Sequence, residues 1–177
     1  AAGLPEHSLM RVSAHEEIDE LLTLDQDVDL LIPRGSNAFV RYIMENTRIP
    51  VLGHAEGICH IYVDDAADEA MALQVILDAK TQYPAACNAV ETVLVSRKIA
   101  KRFLPKLAEA LHGAGVSIYG DAEVFHAVTT DGEALTEEAY RTEYGDLALS
   151  IRVVADIGEA IRHINRWGSH HTDAIIT

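Results

Sequence analysis

Along this chain, apolar residues at helical spacing alternate with short β-rich runs. That alternation predicts an α/β architecture: a mainly parallel, twisted sheet flanked by helices. A helix is expected over 15–24 with Ser13 as its N-cap, then a near-continuous apolar run over 27–33 of the kind buried on both faces. The turn Arg34-Gly35-Ser36-Asn37 leads into a helix carrying Phe39, Val40, Ile43 and Met44. Two short strands, 49–53 and 57–63, follow around a polar turn. Over 68 to about 82, Met71, Val75, Ile76 and Ala79 are spaced for one helical face and Leu73 and Leu77 for another, which predicts a helix buried between two layers. The rest reads as strand 91–95, helix 99–112, strand 116–119, a polar surface excursion over 129–140, strand 147–154, helix 157–166 and strand 173–176.

Composition narrows the function classes. The 177 residues are 49% hydrophobic with a mean hydropathy of +0.05, enough for a substantial core and incompatible with a disordered chain. Lys and Arg total 14 against 28 for Asp and Glu, a formal charge of -14, and the cations form no block. Neither nucleic acid nor an acidic membrane surface is an expected partner. No apolar run approaches the about 18 residues needed to span a bilayer, and two cysteines cannot form a disulfide framework, so the chain reads as cytoplasmic. The N-terminus has neither an initiator Met nor a signal peptide, and 172–177 read as a strand without a cap or polar tail. Both features suggest a piece of a longer protein.

Among residues able to carry chemistry, Cys87 is the most informative. It lies in Tyr83-Pro84-Ala85-Ala86-Cys87-Asn88-Ala89, between a helix and a strand, where Pro84 breaks the helix and small alanines leave room beside the sulfur. A nucleophilic thiolate needs open approach and nearby N–H groups to receive an oxyanion, and such a junction offers both. Spacing alone favours the more ordinary alternative, a small buried hydrophobe. Cys59, between apolar strand residues, is expected to be packed. Arg34, Gly35, Ser36 and Asn37 form a glycine turn into a helix whose free N–H groups could receive an anion, although many helices begin this way and bind nothing. His54, His60, His170 and His171 lack metal-ligand spacing, so no metal site is expected. Asp64, Asp65, Asp68 and Glu69 open a helix and complement its dipole.

Several runs, taken together, resemble the γ-glutamyl phosphate reductases (glutamate-5-semialdehyde dehydrogenases) of the aldehyde dehydrogenase superfamily. They are Ile32-Pro33-Arg34-Gly35-Ser36-Asn37, Ile49-Pro50-Val51-Leu52-Gly53-His54, the segment Thr81 through Thr92, Thr142-Glu143-Tyr144-Gly145-Asp146 and Ser169-His170-His171-Thr172-Asp173. The resemblance implies an aldehyde dehydrogenase-like fold and NADPH-dependent reduction of L-glutamyl 5-phosphate to L-glutamate 5-semialdehyde in proline biosynthesis. It matches Cys87 to the catalytic cysteine, Arg34 to Asn37 to the turn facing the cofactor pyrophosphate, and Glu143 to the glutamate that holds the nicotinamide ribose. Val51 stands where ordinary aldehyde dehydrogenases carry the glutamate that activates water. Residues 1–49 would be the end of the cofactor-binding domain and 50–177 the thioester-forming catalytic domain, inactive alone. A glutamate kinase, as functional partner or fused domain, and a homo-oligomer of the full-length protein are also implied. Two other readings remain: an acylating aldehyde dehydrogenase acting on a different acyl phosphate or a coenzyme A thioester, or a non-catalytic scaffold domain.

Overall fold

A computed structural model describes residues 3, 5, 7–11, 15–53, 56–128 and 135–177, apart from the side chains of 15, 16 and 37. Ser13, expected as an N-cap, and His54, one of the four histidines without metal-ligand spacing, therefore lie outside the described residues, as do 129–134 of the surface excursion. The chain forms two compact units, Ala1–Ala55 and Glu56–Thr177.

In the first unit, α1 (His15–Leu21) and α2 (Asn37–Asn46) accompany the buried side chains Leu22, Val40, Ile43 and Ile49. The Tyr42 hydroxyl donates to Asp19 Oδ1 at 2.9 Å, and the Thr47 hydroxyl donates to the Leu22 carbonyl at 2.7 Å. The strands expected over 27–33 and 49–53 shrink to one parallel bridge between Leu31 and Val51. The Leu31 N–H donates to the Pro50 carbonyl and the Leu52 N–H to the Leu31 carbonyl. Pro33 and Pro50 each withdraw a ladder donor, so pairing does not propagate. Nor is 27–33 buried on both faces: Leu30 and Ile32 are 46% and 59% exposed.

The second unit holds a five-stranded sheet in the order β3-β4-β2-β1-β5, with every pairing parallel. Its strands are β1 (Cys59–Val63), β2 (Val90–Ser96), β3 (Ser117–Gly120), β4 (Ala148–Val154) and β5 (Asp173–Ile176). Buried residues occupy every position of β1 and β2, as in strands covered on both faces, with His60, Glu91, Thr92 and Ser96 the polar members. On one face, α3 (Glu69–Thr81), α4 (Arg97–Gly113) and α5 (Ala122–Val128) supply the main core, with Ile99, Phe103, Leu104, Leu107 and Leu111 of α4 fully buried. On the other, α6 (Ile157–Trp167) packs Ala160 and Ile164 with Tyr62, Leu94 and Val154.

Helix α3 differs from the expectation of burial between layers. It buries Ala72, Ile76 and Lys80, whereas Met71 and Val75 are 45% and 40% exposed. The sheet and α4 bury one side of the helix, with Leu73, Leu77 and Ala79 partly buried against the same core, and leave Met71 and Val75 part-exposed. Asp68 caps α3 by accepting from the Ala70 and Met71 N–H groups, and Glu69 pairs with Arg102 and Lys106. Helix α5, absent from the sequence reading, has only Val124 and Val128 as buried apolar signals over two turns.

The short 3-10 helix Glu137–Arg141 falls within the expected surface excursion, yet its Tyr140 is buried. The Tyr140 hydroxyl donates to the Ile151 carbonyl at 3.2 Å, and its ring meets His163 edge-on at 5.0 Å. His163 also contacts the His60 ring, at 5.5 Å, and neither of its buried ring nitrogens has a hydrogen-bond partner. Burial, helped by His60 and Arg152, pushes the His163 pKa down from 6.5 to about 3. The unfolded chain therefore takes up a proton below pH 6.5 that the folded chain refuses. This contribution to stability is complete above that pH and is lost as pH falls toward 3. At roughly 1.4 kcal/mol per pH unit, urea unfolding should show about 2 kcal/mol less stability at pH 5 than at pH 7 from this group. His163→Phe should flatten that dependence; an unchanged slope would remove His163 as its cause.

Candidate active site

Because the strands of the second unit are parallel, the segments entering them gather at one edge of the sheet. Gly57-Ile58 precede β1, Cys87 precedes β2, Glu143 to Asp146 precede β4, and Ser169 to Thr172 precede β5. Runs far apart in sequence thus become neighbours.

The turn that presents Cys87 is built locally. After α3, Pro84 disfavours helical backbone at Tyr83, and two tight turns follow. In them the Ala86 N–H donates to the Tyr83 carbonyl at 3.0 Å and the Ala89 N–H to the Ala86 carbonyl at 2.9 Å. Neither bond uses the Cys87 N–H. The Cys87 side chain is half-buried, while its carbonyl is gripped from behind. Cys59 Sγ donates to that carbonyl at 3.2 Å, and Gly57 lies so close that an added Cβ would sit 2.1 Å from the same oxygen. Only glycine at 57 admits the Cys87 backbone here.

Cys59 is 2% exposed, and burial pushes its thiol pKa up to about 11. It is a packed hydrophobe with a weak S–H donor, as its strand position predicts. The neighbouring Ser169–Asp173 run is fixed to the same segment. Ser169 Oγ accepts from the Ile58 N–H at 2.9 Å, and Asp173 Oδ1 lies 3.0 Å from His60 Nδ1. His171 Nδ1 meets the Thr172 hydroxyl at 2.7 Å.

Two residues that the sequence reading passed over connect these loops. Lys80 Nζ donates to Glu91 Oε2 at 3.0 Å, and both side chains are fully buried. Glu91 Oε1 accepts from the Gly145 N–H at 3.3 Å, and the Tyr144 N–H points to the same carboxylate. Burial pushes the Glu91 carboxyl pKa up, against the opposing pull of Lys80 and those N–H groups. Removing one partner alone would strand a buried charge, at a cost of about 3–5 kcal/mol. The signal was present in the sequence: a lysine in the Ala72-Ile76-Lys80 stripe and a glutamate near the start of a mainly apolar strand.

Glu143 is half-buried at the same edge, one residue before Tyr144. The Tyr144 ring stacks on Tyr119 at 5.2 Å, and its hydroxyl meets Ser150 Oγ at 2.8 Å. Cys87 and Glu143 are thus brought to one sheet edge, whereas Arg34 to Asn37 belong to the first unit. There Arg34, Gly35 and Ser36 are exposed, and Ser36 Oγ caps α2 by accepting from the Phe39 N–H at 3.3 Å. The first turn of α2 carries no acidic side chain. A cation beside a helix start free of carboxylates suits a phosphate group. Among the described residues, no three His, Cys, Asp or Glu side chains cluster to hold a metal, and no helix is long and apolar enough to cross a membrane.

The contrast between the two thiols is directly measurable. Under limiting maleimide near pH 7, Cys87 should be labelled at least about tenfold faster than Cys59, since only the thiolate reacts and Cys59 is both buried and high in pKa. Equal or reversed rates, read by peptide mapping, would count against Cys87 as the accessible thiol.

Comparison with known proteins extends this geometry. Residues 1–124 match the model of the aldehyde dehydrogenase family. The chain is 57% identical, over all 177 residues, to γ-glutamyl phosphate reductase from a Cyanothece species, and 55% identical over 179 aligned residues to that from Methanosarcina acetivorans. It spans 40% of the length of each. The crystal structure of γ-glutamyl phosphate reductase from Thermotoga maritima superposes with a TM-score of 0.88 at 40% identity, covering 93% of this chain and 39% of that one. The NADP-dependent glyceraldehyde-3-phosphate dehydrogenase of Bacillus halodurans shares the fold at a TM-score of 0.72 and 18% identity, over 94% of this chain and 43% of that one. The resemblance seen in the sequence runs thus extends along the whole chain, and the chain belongs to the aldehyde dehydrogenase family.

Proposed function

We propose that this chain carries the thioester-forming part of an NADPH-dependent reductase that converts L-glutamyl 5-phosphate to L-glutamate 5-semialdehyde and phosphate in proline biosynthesis. The observation that carries this reading is Cys87: a half-exposed thiol on a turn at the start of the central strand, in a chain 57% identical over its whole length to a γ-glutamyl phosphate reductase.

In this reading the Cys87 thiolate attacks the acyl carbon, the C–O bond to phosphate breaks, and inorganic phosphate leaves with the electron pair. The product is a thioester on Cys87, and in this reading the Cys87 N–H donates to the oxygen as it gains charge. NADPH, when bound, is the hydride donor for that thioester. Cys87 Sγ then departs as thiolate when the resulting thiohemiacetal collapses to the aldehyde. Arg34, Gly35, Ser36 and Asn37 hold the cofactor pyrophosphate at the start of α2, and Glu143 accepts hydrogen bonds from the ribose hydroxyls next to the nicotinamide. Residues 1–49 serve as the end of the cofactor-binding domain and 50–177 as the catalytic domain. The full-length protein acts in the cytoplasm as a homo-oligomer, supplied with its acyl phosphate by a glutamate kinase, separate or fused, and the 177 residues alone are inactive.

Val51 supports reduction over hydrolysis. A carboxylate at that position would activate water against the thioester, and valine cannot. In the full-length enzyme, glutamyl-phosphate-dependent NADPH oxidation should fall about 10³-fold or more in Cys87→Ser, and activity surviving that change would reject covalent catalysis. Val51→Glu should raise thioester hydrolysis relative to phosphate-dependent turnover. An unchanged ratio would show that position 51 does not set the fate of the acyl group.

A further inference from the structure

We propose that Lys80 and Glu91 are a positioning pair, which holds the Cys87 turn at its base and, through the Gly145 N–H, sets the place of Glu143. The inference rests on the reading above in which Glu143 meets the cofactor ribose.

Three observations carry it. Lys80 lies in the last turn of α3 and Glu91 is the second residue of β2, so their contact closes the base of the loop that has Cys87 at its middle. Glu91 also occupies a register slip: Cys59 pairs with Val90 and His60 with Thr92, which leaves Glu91 without an opposite residue in β1. Such an irregularity re-aims a side chain, and here the carboxylate spends one oxygen on Lys80 and the other on Gly145. Finally, Gly145 sits at φ +59°, in the left-handed region, and Tyr144 before it is held by Ser150 and Tyr119. The two residues after Glu143 are therefore both anchored, and the Glu91 carboxylate is the anchor shared with the cysteine loop.

A buried ion pair serving only stability is often replaceable by apolar side chains of similar volume. An apolar pair cannot accept the Gly145 N–H. That difference separates a positioning role from a structural one.

The test uses the full-length enzyme and two double variants, both free of buried charge. Lys80→Met with Glu91→Gln keeps an acceptor for the Gly145 N–H; Lys80→Met with Glu91→Leu does not. Similar melting temperatures are expected for the two. The NADPH KM should be about three- to tenfold higher in the leucine variant than in the glutamine variant, the size of effect that losing one part-buried hydrogen bond produces. Equal NADPH KM values would overturn the positioning role. Glu143→Ala is measured beside them: an unchanged NADPH KM there would overturn the ribose assignment itself, whereas a raised KM with equal double variants would overturn only the tie through Glu91. Amide exchange at Gly145 in the unaltered enzyme reads the same bond without substitution, should the leucine variant fail to fold. Protection well above that of an exposed loop is expected, and exchange at the free-loop rate would overturn the proposal.

Discussion

A carboxylate buried at the start of the central strand constrains much of the second unit. Glu91 cannot remain ionised there without partners, and the partners it takes belong to two segments outside its own strand: α3 and the loop before β4. Satisfying one buried charge therefore fixes where the chain leaves α3, how it re-enters the sheet and where Gly145 lies. The tightness of the Cys87 turn follows from the same constraint, aided by the Gly57 backbone pressed against the Cys87 carbonyl.

The all-parallel sheet explains why these segments meet at the amino ends of the strands. Open α/β sheets more often place ligands at the carboxyl ends. Here two of the helices starting at the carboxyl edge have their first N–H groups taken by their own caps, Asp68 for α3 and Asp156 for α6. The opposite edge carries the thiol, the half-buried Glu143 and the Ser169–Asp173 run. It is to this edge that the proposed reading assigns catalysis, with Glu143 meeting the cofactor ribose there.

Much of this was legible in the sequence because burial leaves a pattern. The apolar runs of β2 and β4, the stripe of α4 and the Pro84 break all translated into the expected elements. Cys59 and Cys87 also separated as their neighbours suggested. Reading failed where burial and hydrophobicity part company. Leu30 and Ile32 are apolar but exposed, and the strands expected around them reduce to a single bridge. Tyr140 is buried within a polar stretch because a hydrogen-bond acceptor and an imidazole await it from β4 and α6, partners that no local window contains.

The sequence by itself determined the α/β class, the turn that carries Cys87 and the family resemblance, since each depends on local spacing or on runs of residues read in order. Only the tertiary structure decided that Lys80 and Glu91 neutralise one another, that Gly145 completes the carboxylate and that Gly57 is the residue behind the cysteine. Those are contacts between segments brought together by strand order and register, quantities that side-chain periodicity does not encode.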